Sequence, residues 1–175
     1  MADPRGTAVS NSTPLIHLAK VGRLELLPGV FKRIVVPEAV LNEAVAQGKA
    51  IGATDAFLIE RAVGDWIAVE HVRPEVDEEY SFIDANARLG AGEREALKLC
   101  KQIGAAFFVV DDREARKVSR ILNVKPVGTL GVLVEAHRMG LIKKAEALQT
   151  LEGLIKAGFR MSVPLYRRVL EELEK

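Results

Sequence analysis

Short apolar runs alternate with segments of helical period along this chain, and that alternation limits the fold more than any other feature. The runs are Thr7 to Ser10, Ile34 to Val36, Trp66 to Val69, Ala105 to Val110 and Val124 to Val127. Each has the length and β-branched content of a buried strand, and a helical pattern follows each one. Strands joined through helices need crossover connections, which give a parallel sheet covered on both faces. The expected architecture is therefore α/β, a three-layer α/β/α sandwich around a central, mainly parallel sheet of about five strands. At 175 residues and 49% apolar composition the chain can fill one full-sized core but not two. We expect a single domain over residues 1–175, with 143–175 as a C-terminal helical extension packed on it.

The helices are marked by their caps and breakers. Asn11, Ser12 and Thr13 offer N-cap chemistry before Pro14, and Pro37 starts a helix through about Ala46. Further helices are expected over Thr54 to Val63, Glu93 to Ile103, Asp112 to about Leu122, Thr129 to near Gly140, Lys143 to Lys156 and Pro164 to Glu174. Pro74 to Asp84 reads as an acidic surface helix anchored by Tyr80, Phe82 and Ile83, while Gly90 and Gly92 break the chain before Glu93. Pro126 interrupts the last run and places it at an edge of the sheet. On the final helix Leu165, Val169, Leu170 and Leu173 share a face that seals the domain's own core in preference to serving a partner.

Several function classes are disfavoured. Lys plus Arg number 25 and Asp plus Glu 24, so nucleic acid would have to be met by a local patch, not by a global field. Cys100 is the only cysteine, which excludes an internal disulfide and a multi-cysteine zinc site and fits a reducing, cytoplasmic location. No run approaches the ~20 apolar residues of a membrane helix, and Met1 to Gly6 lacks the apolar core of a signal peptide. His17, His71 and His137 lack metal-ligand spacing and read as structural, and no Ser has a nucleophile-elbow context. Pro126 to Gly131 puts glycines at a strand-to-helix turn without a Walker lysine, so a tight turn capped by Thr129 accounts for it.

The chemistry gathers where the strands end. Phe107 to Val110 stops abruptly at Asp111 and Asp112, and groups at the carboxyl ends of parallel strands meet on one edge of the sheet. One of the pair can cap the next helix, but two in a row need only one cap. The other candidates at that edge are Asn11, Glu38 or Glu43, and Glu93 or Glu95. Such oxygen clusters hold hard divalent cations, which activate water and offset charge on a phosphodiester. At ~100° per residue Glu93 falls within about 60° of the apolar face of its helix, whereas Glu95 lies about 100° away and should be solvated. The same phase turns Glu43 away from Val40, Leu41, Ala44 and Val45, so periodicity does not nominate it. Arg113, Arg116, Lys117 and Arg120 form a basic stripe on the helix after the acidic pair, either a solvated face or a surface for phosphates.

The segments VSNSTPLIHLAK (9–20), VVPEAVLNEAV (35–45), GAGEREALKL (90–99), FVVDDREAR (108–116) and VGTLGVLVEAHRMGLI (127–142), in that order, resemble the PIN-domain family and most closely a poorly characterised prokaryotic subgroup related to VapC-type toxins. The resemblance implies a Mg²⁺- or Mn²⁺-dependent endoribonuclease acting on single-stranded RNA. It implies catalytic Glu43, Glu93 and Asp112, with Asn11 and Asp111 completing the metal ligands. Ser12, Thr13 and Thr129 would position substrate together with the basic stripe. An antitoxin-like protein partner belongs to the same expectation, as does the alternative of a catalytically weak PIN-like module that binds RNA or protein; a homo-oligomer, a dimer, is expected from the two terminal helices, which are left over to wrap the sandwich or to dimerise. Asn11 stands where the family pattern has its first acid, which keeps an oxygen donor and removes a full charge.

Overall fold

A computed structural model describes residues 5–175; the first four residues, part of the Met1 to Gly6 stretch read above, lie outside it. The strands are β1 (Thr7–Ser10), β2 (Arg33–Val36), β3 (Ile67–Val69), β4 (Phe107–Val109) and β5 (Lys125–Val127). They form one sheet in the order β3-β2-β1-β4-β5, with every neighbouring pair parallel. Ala8, Val9, Val35 and Phe108 have no exposed surface, as the central strands of a sheet covered on both faces require.

The helices are α1 (Ser12–Lys20), α2 (Leu26–Val30), α3 (Glu38–Leu41), α4 (Gly48–Ala50), α5 (Thr54–Ala62), α6 (Pro74–Glu79), α7 (Ala91–Ile103), α8 (Arg113–Ile121), α9 (Thr129–Arg138), α10 (Lys144–Lys156) and α11 (Val163–Leu173). A π-helical turn, Asn42–Gln47, joins α3 to α4, and a 3₁₀ turn, Ser81–Ile83, follows α6. α7 packs on β1, β4, α3, α6 and α8, while α9 gathers α1, α2, α10 and α11. Leu151, Leu154, Val169 and Leu173 belong to the same buried cluster as the sheet.

Two local expectations are corrected. Phe82 is 57% exposed, and the acidic segment is anchored by buried Val76 and Ile83 with Tyr80 packed beside them. It is also tied down electrostatically: buried Lys98 donates to Asp77 at 2.5 Å and to Asp84 at 2.7 Å. Burial works against the Lys98 charge, but the two carboxylates outweigh it and raise its pKa. The short helix α2 adds Leu26, Leu27 and Val30 to the core. Gly92 lies inside α7 instead of breaking the chain before it. Cys100 is buried as expected, and desolvation pushes its thiol pKa far up, so it packs and does not react.

Candidate functional site

The strand order reverses at β1, with β2 on one side and β4 on the other. That switch point opens a crevice at the carboxyl edge of the sheet. Asn11 follows β1 directly and its backbone N–H donates to the Val109 carbonyl at 2.9 Å, which fixes it beside the end of β4. Asn11 and Asp112, a hundred residues apart in the chain, thus face one crevice through the register of two adjacent strands.

The N-terminus of α7 delivers Glu93 to the same place. Its Oε2 accepts the Gly90 N–H at 2.9 Å, the reach-back half of a capping box. Its Oε1 faces the Asn11 amide, whose Nδ2 lies at 3.4 Å. Burial raises the Glu93 pKa, and the negative charges of Asp112 and Glu43 raise it further, against the Gly90 and Asn11 hydrogen bonds. Asn11 itself is 3% exposed, and its Oδ1 is a buried acceptor without a hydrogen-bond partner among the described residues. An orphaned buried oxygen at a cluster of carboxylates calls for a donor or a cation.

Glu43 comes from the π-helical turn. Its Oε2 accepts the Ser12 hydroxyl at 2.8 Å and its Oε1 accepts the Gly92 N–H at 3.1 Å. Helical phase does not nominate Glu43; it stands in a π-wound turn and finds its partners, Ser12 and Gly92, on two other helices. The absence of a Cβ on Gly92 makes the contact possible, and neither signal stands out in the residue pattern alone. Glu38, the other candidate after β2, is exposed and lies 3.2 Å from His71. Glu95 is not simply solvated: it accepts the Ala39 N–H at 3.2 Å and holds the start of α3.

The two aspartates divide. Asp112 is the N-cap of α8 and accepts the Ala115 N–H at 2.8 Å, and its charge acts on Glu93. Asp111 caps a different helix: its Oδ1 accepts the Thr129 N–H at 2.8 Å and its Oδ2 the Thr129 hydroxyl at 2.6 Å, at the start of α9. The reasoning that a pair needs only one cap thus fails, because two helices begin there. Thr129 does not cap its own helix; it is the donor to Asp111. His17 Nδ1 lies 3.5 Å from Asp111 Oδ2, a proximity that spacing in the sequence did not suggest.

Arg113, Lys117 and Arg120 are exposed on α8, but Arg116 leaves the stripe. It turns inward, donates to the Val110 carbonyl at 3.1 Å, and has its pKa lowered by burial and by Arg120. Thr13 is half-buried at the start of α1.

The sequence matches the family model of the PIN domain DUF3368 over residues 7–175. The chain belongs to this PIN-domain family. Among solved structures it is similar to VapC20 of Mycobacterium tuberculosis, a sarcin-ricin loop cleaving toxin, with a TM-score of 0.51 and 12% identity over 63% of this chain and 94% of that one. That likeness concerns the fold, with its five parallel strands and flanking helices. No curated protein matches the sequence.

The fold family implies a divalent cation, and the chemistry of the donors in this PIN domain is compatible with one. The crevice offers hard oxygens only, one of them the orphaned Asn11 Oδ1, beside carboxylates whose mutual repulsion a cation would relieve. Among the described residues no three His, Cys, Asp or Glu side chains converge closely enough to hold a metal ion by themselves.

Proposed function

We propose that this PIN-domain protein is a Mg²⁺- or Mn²⁺-dependent endoribonuclease that cleaves single-stranded RNA. The observation that carries the reading is the orphaned Asn11 Oδ1 beside Glu93, whose proton affinity is raised by burial and by the charges of Asp112 and Glu43. Asn11, Glu93 and Asp112 would hold the ion, with Glu43 fixed at its border by Ser12 and Gly92 and Asp111 outside it, held by Thr129. The bound ion supplies Lewis acidity, which activates water and offsets charge on the scissile phosphodiester. Exposed Arg113, Lys117 and Arg120, on the helix that Asp112 caps, would hold the RNA backbone.

The family relationship and the likeness to a toxin that cleaves the sarcin-ricin loop support RNA as the substrate class. We extend the proposal to a toxin paired with an antitoxin-like protein, a homodimer acting in the cytoplasm. No helix among the described residues is long and apolar enough to cross a membrane. We read 1–175 as one domain with 143–175 packed on it, in keeping with the shared core. The test is cleavage of a panel of single-stranded RNAs with Mn²⁺ by the purified chain and by Asp112→Asn. Cleavage that Asp112→Asn removes supports the enzyme; no cleavage, or equal cleavage by both, refutes it.

A catalytically weak binding module is the second reading. It is favoured by the neutral Asn11 and by hydrogen bonds already made to both Glu43 oxygens. The absence of saturable Mg²⁺ or Mn²⁺ binding at millimolar concentration would select it.

A further inference from the structure

On the Asp111 side of the acidic crevice, a groove of about 860 Å³ runs along β5 between α9 and α11, from Gly128 at the carboxyl edge of the sheet to Phe31 at the opposite edge. Its volume is that of a small-molecule site, ~300–1,000 Å³. Val127, Leu130, Val134, Leu165 and Val169 give it an aliphatic lining.

Its charge is one-sided. The three carboxylates along it already face cations: Asp111 faces Arg116 while accepting from Thr129, Glu135 pairs with Arg138, and Glu172 with Arg138 and Lys175. Lys125 instead lies over the Phe107 ring, 5.6 Å from its centroid. Arg160 and Arg168 are exposed on the same groove and make no ion pair among the described residues. The uncompensated charge is positive and sits at the border of aliphatic surface.

Two features narrow the occupant. The aromatic surface is occupied from within, since Phe107 meets Phe31 at 5.3 Å as well as Lys125, and Phe159 meets His17 at 4.9 Å edge-on. That disfavours a stacked nucleobase. Strand addition is disfavoured by Pro126: the Lys125 N–H is donated to Ala106, and residue alternation points position 126, which has no N–H, toward the open edge of β5.

We propose that this groove binds an aliphatic-chain anion, its hydrocarbon along the α9–α11 lining and its acidic head met by Arg160 and Arg168. The site is separate from the nuclease reading and does not depend on it. The test is calorimetric titration of the full chain with decanoate in EDTA, where a metal site is silent. The expected result is saturable 1:1 binding, weakened at least tenfold by Arg160→Glu with Arg168→Glu and lost in Val134→Trp. The two arginines are exposed, so their reversal leaves the fold intact even if the tryptophan variant does not fold. Absence of saturable decanoate binding overturns the proposal, as does equal affinity for decan-1-ol. Displacement of decanoate by adenosine monophosphate at equal or lower concentration would overturn it in favour of a nucleotide.

Discussion

The Glu43 carboxylate rests on the backbone of Gly92, accepting its N–H at 3.1 Å, and a methyl group at Gly92 would lie 2.7 Å from both carboxylate oxygens. A glycine in the first turn of α7 thus sets the position of an acid from a π-wound turn 49 residues earlier. The contact links a backbone detail to the electrostatics of the crevice, because Glu43 contributes to the raised pKa of Glu93.

Gly92→Ala separates position from stability. Alanine favours a helix interior by about 1 kcal/mol over glycine, and the group it meets is the far end of a flexible side chain. We expect a melting temperature within a few degrees of wild type and RNA cleavage reduced at least ~10-fold. Unchanged cleavage would show that the placement of Glu43 does not matter.

Asp111 and Asp112 should respond in opposite ways. Asn is as good an N-cap as Asp, so Asp112→Asn keeps α8 while removing charge, and cleavage should fall by at least ~10²-fold at nearly constant stability. Asp111→Ala strips two hydrogen bonds from the start of α9 and should cost about 1–3 kcal/mol in denaturant unfolding, with cleavage retained below its melting temperature. A dead but stable Asp111→Ala would instead make Asp111 a ligand.

The raised pKa of Glu93 has a definite sign in stability. Below the ordinary glutamate range, pH about 4, Glu93 is protonated in both folded and unfolded chains. As pH rises the unfolded chain ionises first, and the folded protein loses stability until Glu93 has ionised as well. Glu93→Gln should therefore melt higher than wild type at pH 7 in EDTA, with the difference vanishing in acid. Saturating Mn²⁺ should reverse the order, because only wild type gains a ligand charge. A difference that persists unchanged in acid would rule out titration of Glu93 as its source.

Asn11→Asp restores a charge at the orphaned oxygen. Repulsion from Glu93 should lower the melting temperature without metal, while Mn²⁺ affinity tightens on the order of tenfold, measured by calorimetry. Equal affinity in both proteins would exclude Asn11 from the metal site.

The sheet was legible because strand and helix periods are local signals: all five runs became strands, and Pro126 marked the edge. Glu93 was legible too, since its position relative to the apolar face of α7 is a property of one helix. Glu43, Gly92 and Asp111 were not. The role of Glu43 depends on partners from two other helices, that of Gly92 on a carboxylate arriving from another element, and that of Asp111 on a second helix beginning beside the one that follows it. The sequence by itself determined the strands, the helices and their alternation, because backbone propensity and apolar period act over a few residues. Only the tertiary structure decided that Asn11, Glu43, Glu93 and Asp112 face one crevice while Asp111 and Arg116 turn away from it. Burial, hydrogen-bond partners and the repulsion among carboxylates exist only once the strand ends have been brought together.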